Sequence, residues 1–149
     1  MNRYLCLFGV AALVLVAADD SDEAKKDIER FQGAWVFESV EIEGQPAPAG
    51  ALKESKLTID GKKFTMKEGD EISHGTFTID ASKKPKTIDG TFTDGPEKGK
   101  TILGIYELEG DTYKACFNVA GKDRKERPTK FESKKGSGFV VEVLKRVKK

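Results

Sequence analysis

Hydrophobic and polar positions change period once along the chain, at Gly33. From Asp20 to Phe31 the apolar residues Ala24, Ile28 and Phe31 stand at i, i+4 and i+7, with Lys25, Lys26, Asp27, Glu29 and Arg30 between them. That spacing lines one helix face, which Asp20 and Glu23 are placed to cap and Gly33 to end. A helix of about three turns is too short to be stable alone, so Ile28 and Phe31 must rest on something larger. Beyond Gly33 the period becomes 2. Alternation predicts strands over 35–42, 56–60, 63–67, 72–80, 88–92, 101–108, 112–119 and 139–146. Asp60-Gly61, Glu68-Gly69-Asp70 and Glu109-Gly110-Asp111 supply tight turns between them. Pro46 and Pro48 argue against regular structure over 43–50, and 121–135 is the longest polar segment.

Eight strands at hairpin spacing, with no helical pattern between them, predict an all-β, up-and-down antiparallel meander. Left open, such a sheet would carry two exposed edges and a large apolar face, so closure into an eight-stranded barrel is expected. Its inward face is read as Leu57, Ile59, Phe64, Met66, Phe77, Ile79, Ile88, Phe92, Tyr113, Phe117, Val141 and Val143. Ser39 and Glu41 share the parity of Trp35 and would point into the mouth unless a bulge intervenes. Tyr106 and Cys116 are further interior candidates. A barrel of this size is either filled by side chains or holds one small ligand. A connected cavity of about 300 Å³ or more would favour a ligand. An interior filled by Phe64, Met66, Phe77, Phe92 and Phe117 would favour a scaffold.

A short helix, then Gly33-x-Trp35 opening the first of eight strands, then a basic residue in the last strand, resembles the lipocalin pattern. The resemblance implies that Trp35 plugs the closed end of the barrel and that Arg146 packs over its ring, with Lys145 the alternative. The segments Ile28-Glu29-Arg30-Phe31-Gln32-Gly33-Ala34-Trp35, Lys83-Lys84-Pro85-Lys86, Asp94 to Tyr106 and Lys134-Lys135-Gly136-Ser137-Gly138 resemble a family of small, lipocalin-like secreted domains of planctomycete bacteria. That likeness covers nearly all of the chain after its leader. It implies fold and export, and because the family has no established function it implies no site.

The start of the chain reads as an address. Asn2-Arg3 precedes an apolar run from Tyr4 to Val16, and Val16-Ala17-Ala18 offers the small residues of a signal-peptidase site. Cleavage after Ala18 is expected, leaving a single domain over 19–149. The run falls short of the roughly 20 residues a membrane span needs, and the acidic stretch Asp19 to Glu23 follows it, so no retained anchor is expected. Cys6 would leave with the leader, and Cys116 would remain as a lone, buried thiol. The 26 basic and 25 acidic residues nearly balance and give no reason to expect nucleic acid. The acidic beginning and the basic end, 144–149, read as solvated tails.

Candidate chemistry is sparse. Gly95-Pro96-Glu97-Lys98-Gly99-Lys100-Thr101 falls one residue short of a phosphate-binding loop, has Pro96 where an amide is wanted, and runs into a strand. The Asp and Gly residues over 89–95 fit turns rather than a calcium loop. His74 is the single histidine, without partners at metal-ligand spacing, and is placed outward. No metal, cofactor or catalytic set emerges. The expectation is a monomeric, exported, non-enzymatic barrel binding a small apolar or amphipathic molecule. The competing expectation is an exported interaction module, with the barrel as scaffold, that contacts another protein or an envelope polymer through 43–52 and 120–135.

Overall fold

A computed structural model describes residues 21–119 and 125–148. The leader with its cleavage point at Ala18, Cys6, and the beginning of the polar segment after Val119 lie outside the described residues. Helix α1 (Asp22–Phe31) is followed by β1 (Gly33–Ile42), β2 (Gln45–Pro46), α2 (Ala49–Lys53), β3 (Ser55–Asp60), β4 (Lys63–Glu68), β5 (Glu71–Asp80), β6 (Lys86–Phe92), β7 (Thr101–Glu109), β8 (Thr112–Asn118) and β9 (Phe139–Arg146). Strands β3 to β9 each pair antiparallel with the next, β1 pairs with β3, and β9 returns to β1. The result is a closed, eight-stranded, up-and-down antiparallel barrel with a short N-terminal helix, as the alternation predicts.

The alternation is visible in burial. Leu57 and Ile59 on β3, and Phe77 and Ile79 on β5, are buried, while Lys56, Thr58, Thr76 and Thr78 between and beside them are exposed. Two glycines let large rings enter the interior. A Cβ on Gly75 would lie 2.3 Å from the Phe64 ring, and one on Gly104 would lie 2.4 Å from the ring of Phe117. Each ring therefore lies against bare backbone, a close approach that any larger residue would prevent.

Four details differ from the sequence reading. The N-cap of α1 is Ser21, whose Oγ accepts from the Ala24 N–H at 3.1 Å, and Gln32 rather than Gly33 ends the helix. Within α1, Asp27 is buried along with Ala24 and Phe31. Residues 43–50 are partly regular. Glu43 and Gly44, at φ 50° and 80°, make a two-residue turn that pairs Gln45–Pro46 with the end of β1. Pro46 is tolerated because β2 is an edge, and Pro48 precedes α2.

The fourth difference concerns β9. Its inward face is Val140, Glu142 and Leu144, not Val141 and Val143. Val140 and Leu144 lie opposite the inward Phe117 and Tyr113 of β8, whereas Val141 lies opposite Cys116 on the outer face. That outer face is itself covered. Asn118 donates to the Glu126 carbonyl at 2.9 Å, Arg127 to the Gly104 carbonyl at 2.8 Å, and Cys116 Sγ contacts the Glu132 carbonyl at 3.6 Å. Residues 125–138 thus strap β7 and β8 from outside, burying Ile105, Cys116 and Pro128.

Candidate functional site

The two ends of the barrel differ in chemistry. At the closed end Phe31 inserts between Phe77, Tyr106 and Tyr113, at ring-centroid distances of 5.5, 5.2 and 5.0 Å. Trp35 is fully buried beside it and donates from Nε1 to the Phe31 carbonyl at 2.8 Å. The Arg146 guanidinium stands 4.4 Å from the centre of the Trp35 ring, and also donates to the Gln32 and Arg30 carbonyls and, at 3.2 Å, to Asp111. Gly33, at φ 111°, brings the chain past that guanidinium. Gly33, Trp35 and Arg146 therefore meet at this end of the barrel.

Asp27 completes this floor. Its Oδ2 accepts from the Tyr106 hydroxyl at 2.7 Å and from Lys86 Nζ at 2.8 Å, and its Oδ1 accepts from Arg30 at 3.3 Å. Burial, and after it the bond to Asp27, pushes the Tyr106 phenol well above its usual range. Burial alone would lower the Lys86 ammonium, but the Asp27 and Glu23 carboxylates outweigh it and raise it. Tyr106 points inward, but it belongs to the floor and does not line the cavity above, where the sequence reading placed it.

The cavity lies between that floor and the open end, with a volume of about 70 Å³. Phe64, Met66, Phe77, Phe92 and Phe117, all interior candidates from the sequence, line it together with Leu57, Ile59, Ile88, Gly90, Ile102, Tyr113 and Glu142. Phe64 and Phe92 meet edge to face at 5.4 Å, and Phe64, Met66, Phe92 and Ile102 are only partly buried. The volume is far below the 300 Å³ or so of an ordinary ligand pocket, with the rings of Phe64 and Phe117 seated against the backbone of Gly75 and Gly104.

Ser39 and Glu41 are not part of this site. The β1–β9 register shifts between Phe37 and Ser39, so a bulge at Glu38 reverses the parity of the rest of the strand. Ser39 and Glu41 are exposed on the outer face, where Glu41 accepts from Ser133 at 2.9 Å, and Val40 takes the inward position. Cys116 is buried on the outer face of β8, and burial pushes its thiol up to about 11. His74 is exposed and bonded to Asp94 at 2.7 Å, whose carboxyl is held below its usual range by the His74 backbone N–H and ring.

Comparison with protein-family models, curated proteins and solved structures finds no match. What the open end can do therefore rests on its own chemistry. Among the described residues Glu142 is the one charged residue lining the cavity, and Tyr113 its one other polar side chain. Among the described residues neither the carboxyl of Glu142, itself half-buried, nor the hydroxyl of Tyr113 has a hydrogen-bonding partner. Burial, with a smaller contribution from the Glu68 carboxylate, raises Glu142 from 4.5 to about 7. Burial, and after it Glu142, pushes the Tyr113 phenol well above its ordinary value.

The sequence did carry a signal for Glu142. Once Arg146 is set over Trp35, counting back by two along β9 brings Leu144, Glu142 and Val140 to the same inner face. The apolar Val141 and Val143 mask that parity, because the strap makes the outer face of the neighbouring strands apolar as well.

Proposed function

We propose that the protein is an exported, non-enzymatic, lipocalin-like barrel that takes up a small apolar or amphipathic molecule at its open end. By volume the interior favours a scaffold over an ordinary ligand; what supports a very small guest is the apolar cavity beneath the partly buried Phe64, Met66, Phe92 and Ile102. At about 70 Å³ it is about half the size of the roughly 150 Å³ apolar cavity that accepts benzene. It suits a guest of a few heavy atoms, and a long acyl chain would have to displace the rings over Gly75 and Gly104. Export is supported by the leader pattern of 1–18 and by the likeness to secreted planctomycete domains. Titration with n-butanol, followed by NMR of the Met66 methyl and the Phe64 and Phe92 rings, tests the reading. Saturable shifts there, without shifts at Leu144, are expected, and their absence at millimolar probe would refute uptake.

The filled barrel gives some support to a second reading, in which the barrel is a scaffold and residues 43–52 and the strap contact an envelope protein. The strap is anchored to the β1–β2 turn, since Ser133 Oγ accepts from Gly44 N–H and donates to Glu41, both at 2.9 Å. Capture of one envelope protein by the full domain, lost when 43–52 is replaced, is the result this reading requires.

A further inference from the structure

We propose that Glu142 and Tyr113 form the head-group site of the barrel cavity and that the ligand class is a short-chain primary ammonium. This rests on the cavity reading above and names what the cavity selects. An apolar wall explains why a hydrocarbon would enter but does not explain a carboxyl on that wall. A carboxylate half-buried in an apolar wall without a partner is destabilising, and a protein can relieve this by protonation or by a bound cation. No cation among the described residues meets it. Arg146, on the same face of β9, is committed to Trp35 and the helix end. Lys86 is held by Asp27 and Glu23, while Lys114 stands over Phe131 and Lys145 beside Thr112 and Glu38 on the outer surface.

The chemistry selects among small guests. An ammonium carries three donors and no acceptor, so it serves the two oxygens of Glu142 and the hydroxyl oxygen of Tyr113 together. Its charge is also favoured by the aromatic faces of Phe64, Phe92 and Phe117 that line the same space. A carboxylate guest would be repelled by Glu142, and by Glu68, whose field reaches Glu142 from β4. An alcohol brings a single donor and no charge. A short alkyl tail is what 70 Å³ admits.

Calorimetric titration of the full domain with n-butylammonium, n-butanol and butyrate separates this inference from the reading beneath it. The ammonium should bind at least about tenfold more tightly than butanol at pH 8, and butyrate should not bind. Its affinity should rise about tenfold between pH 6 and pH 8 as Glu142 ionises. Glu142→Gln should abolish both the preference for the ammonium over butanol and its pH dependence. If butanol and n-butylammonium bind wild type equally and without pH dependence, the head-group assignment is overturned and the cavity reading stands. If none of the three binds, both fall. The wild-type pH series decides the matter even if the variant folds poorly.

Discussion

Replacing Glu142 with glutamine keeps the shape of the side chain and removes its titration, which isolates the cost of a charge inside the barrel. Burial, assisted by Glu68, raises this carboxyl from 4.5 to about 7 in the folded protein. At about 1.4 kcal/mol per pH unit, the ionised form costs the fold about 3 kcal/mol. The folded state holds the proton more tightly than the unfolded chain, so stability is fully present below about 4.5 and is lost as pH rises through about 7. Integrating between pH 5 and pH 8 gives an expected loss of about 2.5 kcal/mol in wild type that is absent in Glu142→Gln. Few other groups confuse the measurement. Beside Glu142, β1 presents Val40 and β8 presents Ala115. The titratable neighbours it feels are Glu68 on β4 and Tyr113 and, from the outer face, Cys116 on β8, while Glu41, Lys114 and Lys145 of the flanking strands face outward. Urea denaturation at the two pH values, with slopes compared to confirm the same unfolding reaction, reads the difference directly. Parallel pH dependence of wild type and variant, within about 0.5 kcal/mol, would refute the premise that the Glu142 carboxyl is withdrawn from water.

Other perturbations test the floor, the walls and the strap. Arg146→Ala should cost about 2–3 kcal/mol in thermal or urea denaturation, because it strips a cation from Trp35 and leaves the Gln32 and Arg30 carbonyls without their donor. Asp27→Ala should cost about 3 kcal/mol by the same assays, since Tyr106 and Lys86 lose their shared acceptor, whereas Glu29→Ala on the exposed face of α1 should stay within about 0.5 kcal/mol. Gly75→Ala should cost about 2 kcal/mol or more, its Cβ meeting the Phe64 ring and the Thr91 carbonyl at 2.3 and 2.4 Å. Gly50→Ala, with nothing within 4 Å, is the neutral control. Cys116 should resist iodoacetamide at pH 8 in the folded protein and react at once in urea, because burial holds its thiol at about 11 and the strap covers it. Rapid alkylation without denaturant would mean that the strap opens.

The wall of the barrel was legible because its strands are solvated on one side. Lys56, Thr58 and Asp60 around Leu57 and Ile59, or Thr76 and Thr78 around Phe77 and Ile79, leave one choice of inner face. Legibility fails where both faces are covered. On β8 and β9 the strap buries Cys116 on the outer side while Tyr113, Phe117 and Leu144 fill the inner side, so hydrophobicity no longer reports direction. A bulge is invisible for a related reason. Phe37, Glu38 and Ser39 carry no sign that one of them is extra, and the shift appears only when β1 is set against β9, turning Ser39 and Glu41 out of the mouth. Asp27 was assigned to the polar face of α1 from residue type alone. Its burial follows from Tyr106 and Lys86, which lie far along the chain and converge only when the barrel closes.

Asp27 and Glu142 make a useful contrast, since each is a carboxylate inside the same barrel. Asp27 sits in the floor with three donors around it, and removing any of them would leave a charge unserved. Glu142 sits above, in a wall that supplies it with none. A fold that needed Glu142 only for packing would be as well served by leucine or methionine, which would avoid the charge altogether. The carboxyl is therefore a stability cost with no return among the described residues, and such costs point to a group acting on something outside them. Glu142→Met supplies the corresponding measurement. It should raise stability at pH 8 by about 2–3 kcal/mol, keep the barrel, and eliminate ammonium selectivity. A Met variant no more stable than wild type at that pH would mean that Glu142 has a stabilising partner within the fold, and that the open end offers no unmet charge to a guest.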